Sequence, residues 1–183
     1  MSEEKRAIAR GIAHRHLSRN DPLGWFEELY FQAADDLSII PWAELVPNPN
    51  LMTWLDSHRM IGDGQRALAI GCGLGDDAEE LTRRGFSTTA FDISSTAIAL
   101  CRKRFPKTFV RYDTVDLFST PQHWQAGFDF VLESYTLQVL PPELHRKAIC
   151  AIADLVKQEG KLLVISRGRE TADPRGEMPW PLT

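Results

Sequence analysis

The stretch ALAIGCGLGDDAEELTRRG, Ala67–Gly85, decides the fold. A short apolar run enters a turn with glycine at three alternate positions, Gly71, Gly73 and Gly75, and a helix-like segment leaves it. An apolar run of this length bounded by glycine predicts a buried strand. The acids Asp76 and Asp77 suit the positive end of the helix that follows, and Gly85 predicts its left-handed stop.

Outward from this stretch the rhythm is strand, helix, strand. STTAFDI (Ser87–Ile93) is the second strand, and Ser94 caps a helix running from Ser95 to Phe105. TFVRYDTV (Thr108–Val115) is a third strand and FDFVLESY (Phe128–Tyr135) a fourth. Pro141 and Pro142 open a helix expected to run to Gly160, and KLLVISRG (Lys161–Gly168) is the fifth strand. Apolar strands alternating with helices predict an α/β fold: a doubly wound, Rossmann-like parallel sheet covered on both faces, in the order 3-2-1-4-5.

Upstream, residues 4–17 have helical propensity with a weak apolar stripe and are expected to form a mobile arm. In the next stretch Trp25, Phe26, Leu29, Tyr30 and Ala33 recur at helical spacing, and after a proline-broken loop Leu51, Trp54 and Leu55 share a helix face. The division expected is an N-terminal helical lid over residues 1–60 and a ligand-binding domain over 61–183, packed as one unit.

With 183 residues, 43% apolar and 25% charged, the chain has the composition of a single globular domain. A net charge of −4 argues against a nucleic-acid surface, which needs clustered Lys and Arg. Three scattered cysteines without a CxxC pair argue against a disulfide framework or a zinc site. The charged N-terminus lacks a secretory h-region and no apolar run is long enough to span a bilayer. The expectation is a cytoplasmic protein without metal, membrane or nucleic-acid partner.

The glycine turn departs from the dinucleotide fingerprint GxGxxG, because Asp76 stands where its third glycine would be. Twin carboxylates at a helix N-terminus repel phosphate, so the turn is expected to select a phosphate-free, cationic nucleoside such as S-adenosylmethionine. The bland alternative is a plain strand-to-helix turn, which rarely needs three glycines. Asp92 ends the second strand 21 residues after Gly71, where an acid accepts hydrogen bonds from ribose hydroxyls. Asp116, Leu117 and Phe118 follow the third strand as an acid for an adenine amino group and apolar walls for its ring.

These residues carry a resemblance. IGCGLGDD (Ile70–Asp77), AFDIS (Ala90–Ser94), DLF (Asp116–Phe118) and FDFVLESYTLQVLPPE (Phe128–Glu143) resemble class I S-adenosylmethionine-dependent methyltransferases. GWFEELY (Gly24–Tyr30), IPWAELVPNPNLMTWL (Ile40–Leu55) and PWPLT (Pro179–Thr183) further resemble the thiopurine S-methyltransferase-like branch, which includes thiol and halide methyltransferases.

The resemblance implies S-adenosyl-L-methionine as cofactor. Gly71, Gly73 and Gly75 would line its methionine part, Asp92 and Ile93 the ribose, and Asp116 and Leu117 the adenine. Glu133 would lie near the methionine amino group or the acceptor mouth, with Trp42 on the lid. It implies a small-molecule methyl acceptor, a thiol or other soft nucleophile. A catalytically silent domain of the same fold and a nicotinamide-dependent oxidoreductase are the competing readings.

No residue is assigned as general base, and Tyr135 and Glu133 are the nearest candidates. His123 and His145 are expected at the surface and Cys72 as a small filler. Two features depart from the class. Ala69 stands where an acid often precedes the first glycine, and only five strands are expected, without the class's C-terminal antiparallel hairpin, so either a piece of the fold is lacking from this sequence or the protein is a shortened form. The apolar edge LLVIS (Leu162–Ser166) is therefore expected to be open and to support a homodimer.

Overall fold

The structure is a computed structural model that describes residues 3–33, 36–174 and 176–183. Five parallel strands form one sheet in the order β3-β2-β1-β4-β5, as the sequence predicts. They are β1 (Arg66–Ile70), β2 (Ser87–Asp92), β3 (Arg111–Thr114), β4 (Phe128–Ser134) and β5 (Val156–Ile165). The helices are α1 (Glu3–Leu17), α2 (Gly24–Gln32), α3 (Pro49–Ser57), α4 (Asp76–Arg83), α5 (Ser95–Arg104) and α6 (Pro142–Ala153).

Strand alternation builds two cores. Leu68, Phe128 and Val131 pack with Ala148 and Ile152 of α6. Ala67, Phe130 and Leu132 pack with Leu51 and Leu55 of α3 and Leu81 of α4. The caps follow the local chemistry: Ser94 Oγ accepts the Ala97 amide hydrogen at 3.0 Å, and Gly85 closes α4 with φ 90°.

Three expectations change. The α1 segment is docked, with Ala9, Ile12 and Ala13 buried. The tie is a polar one at its end, where the His16 ring bridges Asp21 at 2.8 Å and Glu28 at 2.7 Å. In the second-helix stretch, Ala34 and Asp35 lie outside the described residues. Helix α6 stops at Ala153 instead of Gly160, and β5 begins at Val156. Leu155 is fully buried and its carbonyl accepts the Phe128 amide hydrogen at 3.2 Å, so pairing with β4 captures this segment before the helix can continue. Glu159, at φ 63°, and Gly160 then form the irregularity between the pairs Phe128–Val156 and Phe130–Lys161. Strand β3 is shorter than expected, and Phe109 before it is exposed.

The outer edge of β5 is apolar as expected, with Leu162 and Val164 exposed. Beyond it the chain folds back: the Leu182 N–H donates to the Arg167 carbonyl at 2.8 Å and the Trp180 N–H to the Gln138 carbonyl at 2.7 Å. No helix among the described residues is long and apolar enough to cross a membrane.

Candidate functional site

A cavity of about 360 Å³ opens at the carboxyl ends of β1, β2 and β4. Open α/β sheets present their ligand crevices at this end, and the volume suits a small-molecule site.

The floor is the glycine turn. Gly71, Gly73 and Gly75 have φ of 55°, 54° and 90°, a left-handed region where side chains are strained. A Cβ at Gly71 would collide with the Thr136 hydroxyl, and one at Gly73 would lie 3.0 Å from Tyr30 Oη. The turn is glycine-rich for its backbone angles and for the close approach of its neighbours.

Asp92 is buried behind this turn. Its Oδ2 accepts the Gly73 amide hydrogen at 3.0 Å and its Oδ1 accepts that of Ser94 at 2.9 Å. Burial pushes its pKa up to about 6, and the backbone hydrogen bonds oppose that push. A carboxylate offers about four lone-pair sites, so acceptor capacity remains toward the cavity that Asp92 lines. Ile93, Asp116 and Leu117 line the same end. Asp116 holds its turn by accepting the Phe118 amide hydrogen at 2.8 Å.

The helix α2 lies over this floor. Glu27 accepts from Ser94 Oγ at 2.5 Å and Thr96 Oγ1 at 2.6 Å, fastening α2 to the start of α5. Trp42 lines the cavity and its Nε1 donates to Tyr30 Oη at 2.9 Å. The tryptophan assigned to the lid is thus pinned over Gly73.

The twin carboxylates behave differently from the sequence expectation. Arg104 grips both Asp76 oxygens, at 2.7 and 2.8 Å, and also donates to the Leu74 carbonyl. Asp77 is held by the Asn48 amide at 2.7 Å, and burial pushes its pKa up. The two acids line the cavity, yet one is paired and the other is shielded. Selection against phosphate by two bare charges is therefore not a property of this turn.

Glu133 is also placed differently. It is not among the cavity-lining residues, whereas its neighbours Leu132 and Ser134 are, because side chains alternate along β4. Its Oε1 accepts the amide hydrogens of Thr136 at 2.6 Å and Leu137 at 2.9 Å, while Oε2 has no partner. Burial pushes its pKa up to about 7. Glu133 holds the loop after β4 in shape and does not reach the ligand space.

Tyr135 does line the cavity, in a left-handed backbone conformation with φ 62°. For a bulky residue that costs roughly 1–2 kcal/mol, held here by the Tyr135 amide bond to the Ile165 carbonyl at 2.8 Å. His123 is exposed as expected. His145 is half-buried and bonds the Leu140 carbonyl at 2.9 Å. Cys72 lines the turn and packs with the core group containing Cys101. Among the described residues no group of three or more His, Cys, Asp or Glu is arranged to hold a metal ion.

Sequence reasoning missed Asn48, Thr136, Gln138 and Arg167 as cavity residues. Only Asn48 had a local signal, as the cap before Pro49; its side chain accepts the Asn50 amide hydrogen at 2.9 Å.

Comparison with known proteins gives this geometry a family. The family model described as a methyltransferase domain matches residues 67–160. A ubiquinone biosynthesis O-methyltransferase of Burkholderia vietnamiensis is 29% identical over 126 residues, 66% of this chain and 53% of that protein. The chain thus spans about half the length of the curated relatives it matches. Among solved structures, a Burkholderia thailandensis 1,6-didemethyltoxoflavin-N1-methyltransferase with bound S-adenosylhomocysteine is similar, with a TM-score of 0.60 at 20% identity. The match covers 87% of this chain and 66% of that one. The [4+2]-cyclase SpnF gives a TM-score of 0.60 at 24% identity, covering 73% and 50%. The strand order, the glycine turn and the match over residues 67–160 agree, and the chain belongs to the methyltransferase domain family.

Proposed function

We propose that this chain binds S-adenosylmethionine along the glycine turn and directs its methyl group to a small organic acceptor. One observation carries the reading: three left-handed glycines, the middle one held by the strand-end Asp92, open into a cavity that continues past Thr136 and Gln138. The residues fit the cofactor. The cradle at Gly71 and Gly73 has no room for a Cβ, Asp92 keeps acceptor capacity for ribose hydroxyls, and Asp116 and Leu117 suit an adenine edge and face. When bound, the cofactor supplies a sulfonium methyl group for in-line displacement. The protein's part is then alignment of the acceptor and exclusion of water by Trp42, Tyr30 and Met178, an effect that reaches roughly 7–11 kcal/mol in favourable cases.

The finer reading is a soft acceptor such as a thiol. It is supported by a cavity end lined by Tyr135, with no histidine among the described residues that line the cavity. The curated relatives are named as O-methyltransferases, so labelled-methyl transfer to paired thiol and phenol acceptors decides between the two. A domain that binds the cofactor without transferring its methyl group is the competing reading, and the likeness to a cyclase gives it substance.

Calorimetry with S-adenosylmethionine and S-adenosylhomocysteine tests the proposal. Micromolar binding, on the order of −8 kcal/mol, is expected for the native chain, with loss in Asp92→Ala at unchanged circular dichroism. Binding of NADH without either sulfur nucleoside overturns it.

A further inference from the structure

The polar lining of the cavity falls into two regions. Asp76, Asp77, Asp92 and Asp116 line it at the ends of β1, β2 and β3. Where β4, β5 and the folded-back C-terminal segment meet, Gln138 and Arg167 line the cavity beside Ser134, Tyr135 and Thr136. These two are locked together: the Arg167 N–H donates to Gln138 Oε1 at 2.9 Å. The Arg167 carbonyl is fixed by the Leu182 amide and the Gln138 carbonyl by the Trp180 amide.

That lock leaves donors over. Gln138 is 95% buried, its side-chain oxygen is taken, and its NH2 group meets no acceptor among the described residues. The half-buried Arg167 guanidinium likewise meets no carboxylate or carbonyl among them. Arg6 and Arg10 of α1 line the same cavity, and Arg10 comes within 3.9 Å of the exposed Glu177, beside Met178. Glu44 is the further lining carboxylate, in the loop after Trp42. Phe26, Val139, Leu140 and Met178 supply apolar walls.

We propose that the methyl acceptor is an apolar, ring-sized organic acid, whose carboxylate is bound by the Arg167 guanidinium and the Gln138 side-chain amide. Arg and carboxylate match in a planar, two-bond geometry, and a buried donor pair of this kind discriminates strongly against a ligand that cannot accept. The inference deepens the methyl-transfer reading and rests on it.

The test uses the native chain saturated with S-adenosylhomocysteine and compares binding of 1-naphthoate with its neutral isostere 1-naphthamide. The acid is expected to bind at least tenfold more tightly, with a preference that shrinks as salt rises. Arg167→Met is expected to bring the two within twofold while S-adenosylhomocysteine affinity stays unchanged, and Arg167→Lys to restore part of the preference. Gln138→Glu keeps the acceptor for the Arg167 N–H and puts a negative charge in the subsite, so it is expected to reverse the preference. If the native chain fails to bind S-adenosylhomocysteine, the methyl-transfer reading falls. If it binds that nucleoside but takes the acid no better than the amide, the acid subsite alone is overturned.

Discussion

Arg104, the last residue of α5, holds Asp76, the first residue of α4, through two parallel N–H···O bonds of 2.7 and 2.8 Å. The pair is four-fifths buried on both sides, and Arg104 also donates to the Leu74 carbonyl inside the glycine turn. It joins the positive end of one helix to the negative end of the next and fixes the turn between β1 and α4. Arg104→Gln keeps one donor but loses the fork and the charge. The expected cost is about 1–3 kcal/mol, read as a Tm lowered by roughly 2–12 °C, with S-adenosylmethionine affinity falling more than tenfold. Unchanged affinity in a variant of lowered Tm would show that the turn keeps its shape without the staple.

Asp92 gives a pH prediction for binding. Its pKa of about 6 means that the carboxylate ionises between pH 5 and 7. Accepting from ribose hydroxyls while holding the Gly73 and Ser94 amides favours the ionised form. Cofactor affinity is therefore expected to rise with pH across that window and then level off. Asp92→Asn, which turns an NH2 group toward one of the two amide donors, flattens the curve and weakens binding. Calorimetry at pH 5, 6, 7 and 8 checks this, and a pH-independent native Kd would remove Asp92 from the ligand.

What could be read from the sequence was what local chemistry determines. The left-handed glycines, the Ser94 cap, the Gly85 stop and the acids at the ends of β2 and β3 are each set within a few residues, and each stands where it was expected. The end of α6 was not legible, because Leu155 and Val156 satisfy a helix pattern and a strand pattern equally. Pairing with Phe128 far along the chain decides between them. Glu133 was misplaced because its position after three consecutive apolar residues, Phe130–Leu132, says nothing about which sheet face it takes. The Arg104–Asp76 and Arg167–Gln138 partnerships are contacts 28 and 29 residues apart that no motif announces.

Glu133 sets a second pH dependence, this time of stability. Its folded pKa of about 7 lies above the ordinary value of 4.5, because burial disfavours the charge more than two amide donors favour it. Between those values the native state holds a proton that the unfolded chain has lost, so stability falls as pH rises through about 4.5 to 7. The span corresponds to about 3 kcal/mol. Glu133→Gln keeps an oxygen for the Thr136 and Leu137 amides and cannot ionise. It is expected to match the native chain near pH 4 and exceed its urea stability at pH 8 by roughly 1–3 kcal/mol. Glu133→Leu strands both amides and costs about 1–3 kcal/mol for each at either pH. A Gln variant less stable than native at pH 8 would mean that the carboxylate is needed in its charged form.

His16 ties the end of α1 to Asp21 and to Glu28 of α2. Its ring touches Asp21 and Glu28 through opposite nitrogens, and hydrogen bonds to the two carboxylates raise its pKa above 6.5. The same bonds hold both carboxylates below their ordinary values. For a histidine with a raised folded pKa, the contribution is complete below the unfolded value and disappears as pH climbs through the folded one. For the carboxylates it is present above their unfolded values and lost in acid. Docking of α1 is thus expected to be firmest between about pH 5 and 6.5 and to loosen toward pH 9. Hydrogen exchange of the α1 amides, corrected for intrinsic rate, is expected to show protection that falls across that range while the amides of β1 and β4 keep theirs. His16→Gln retains hydrogen bonding without a titrating charge and is expected to give α1 a lower protection that no longer changes between pH 6 and 9. If native α1 keeps its protection at pH 9, the helix is held by Ala9, Ile12 and Ala13 alone, and the histidine bridge contributes nothing to the cover over the cavity.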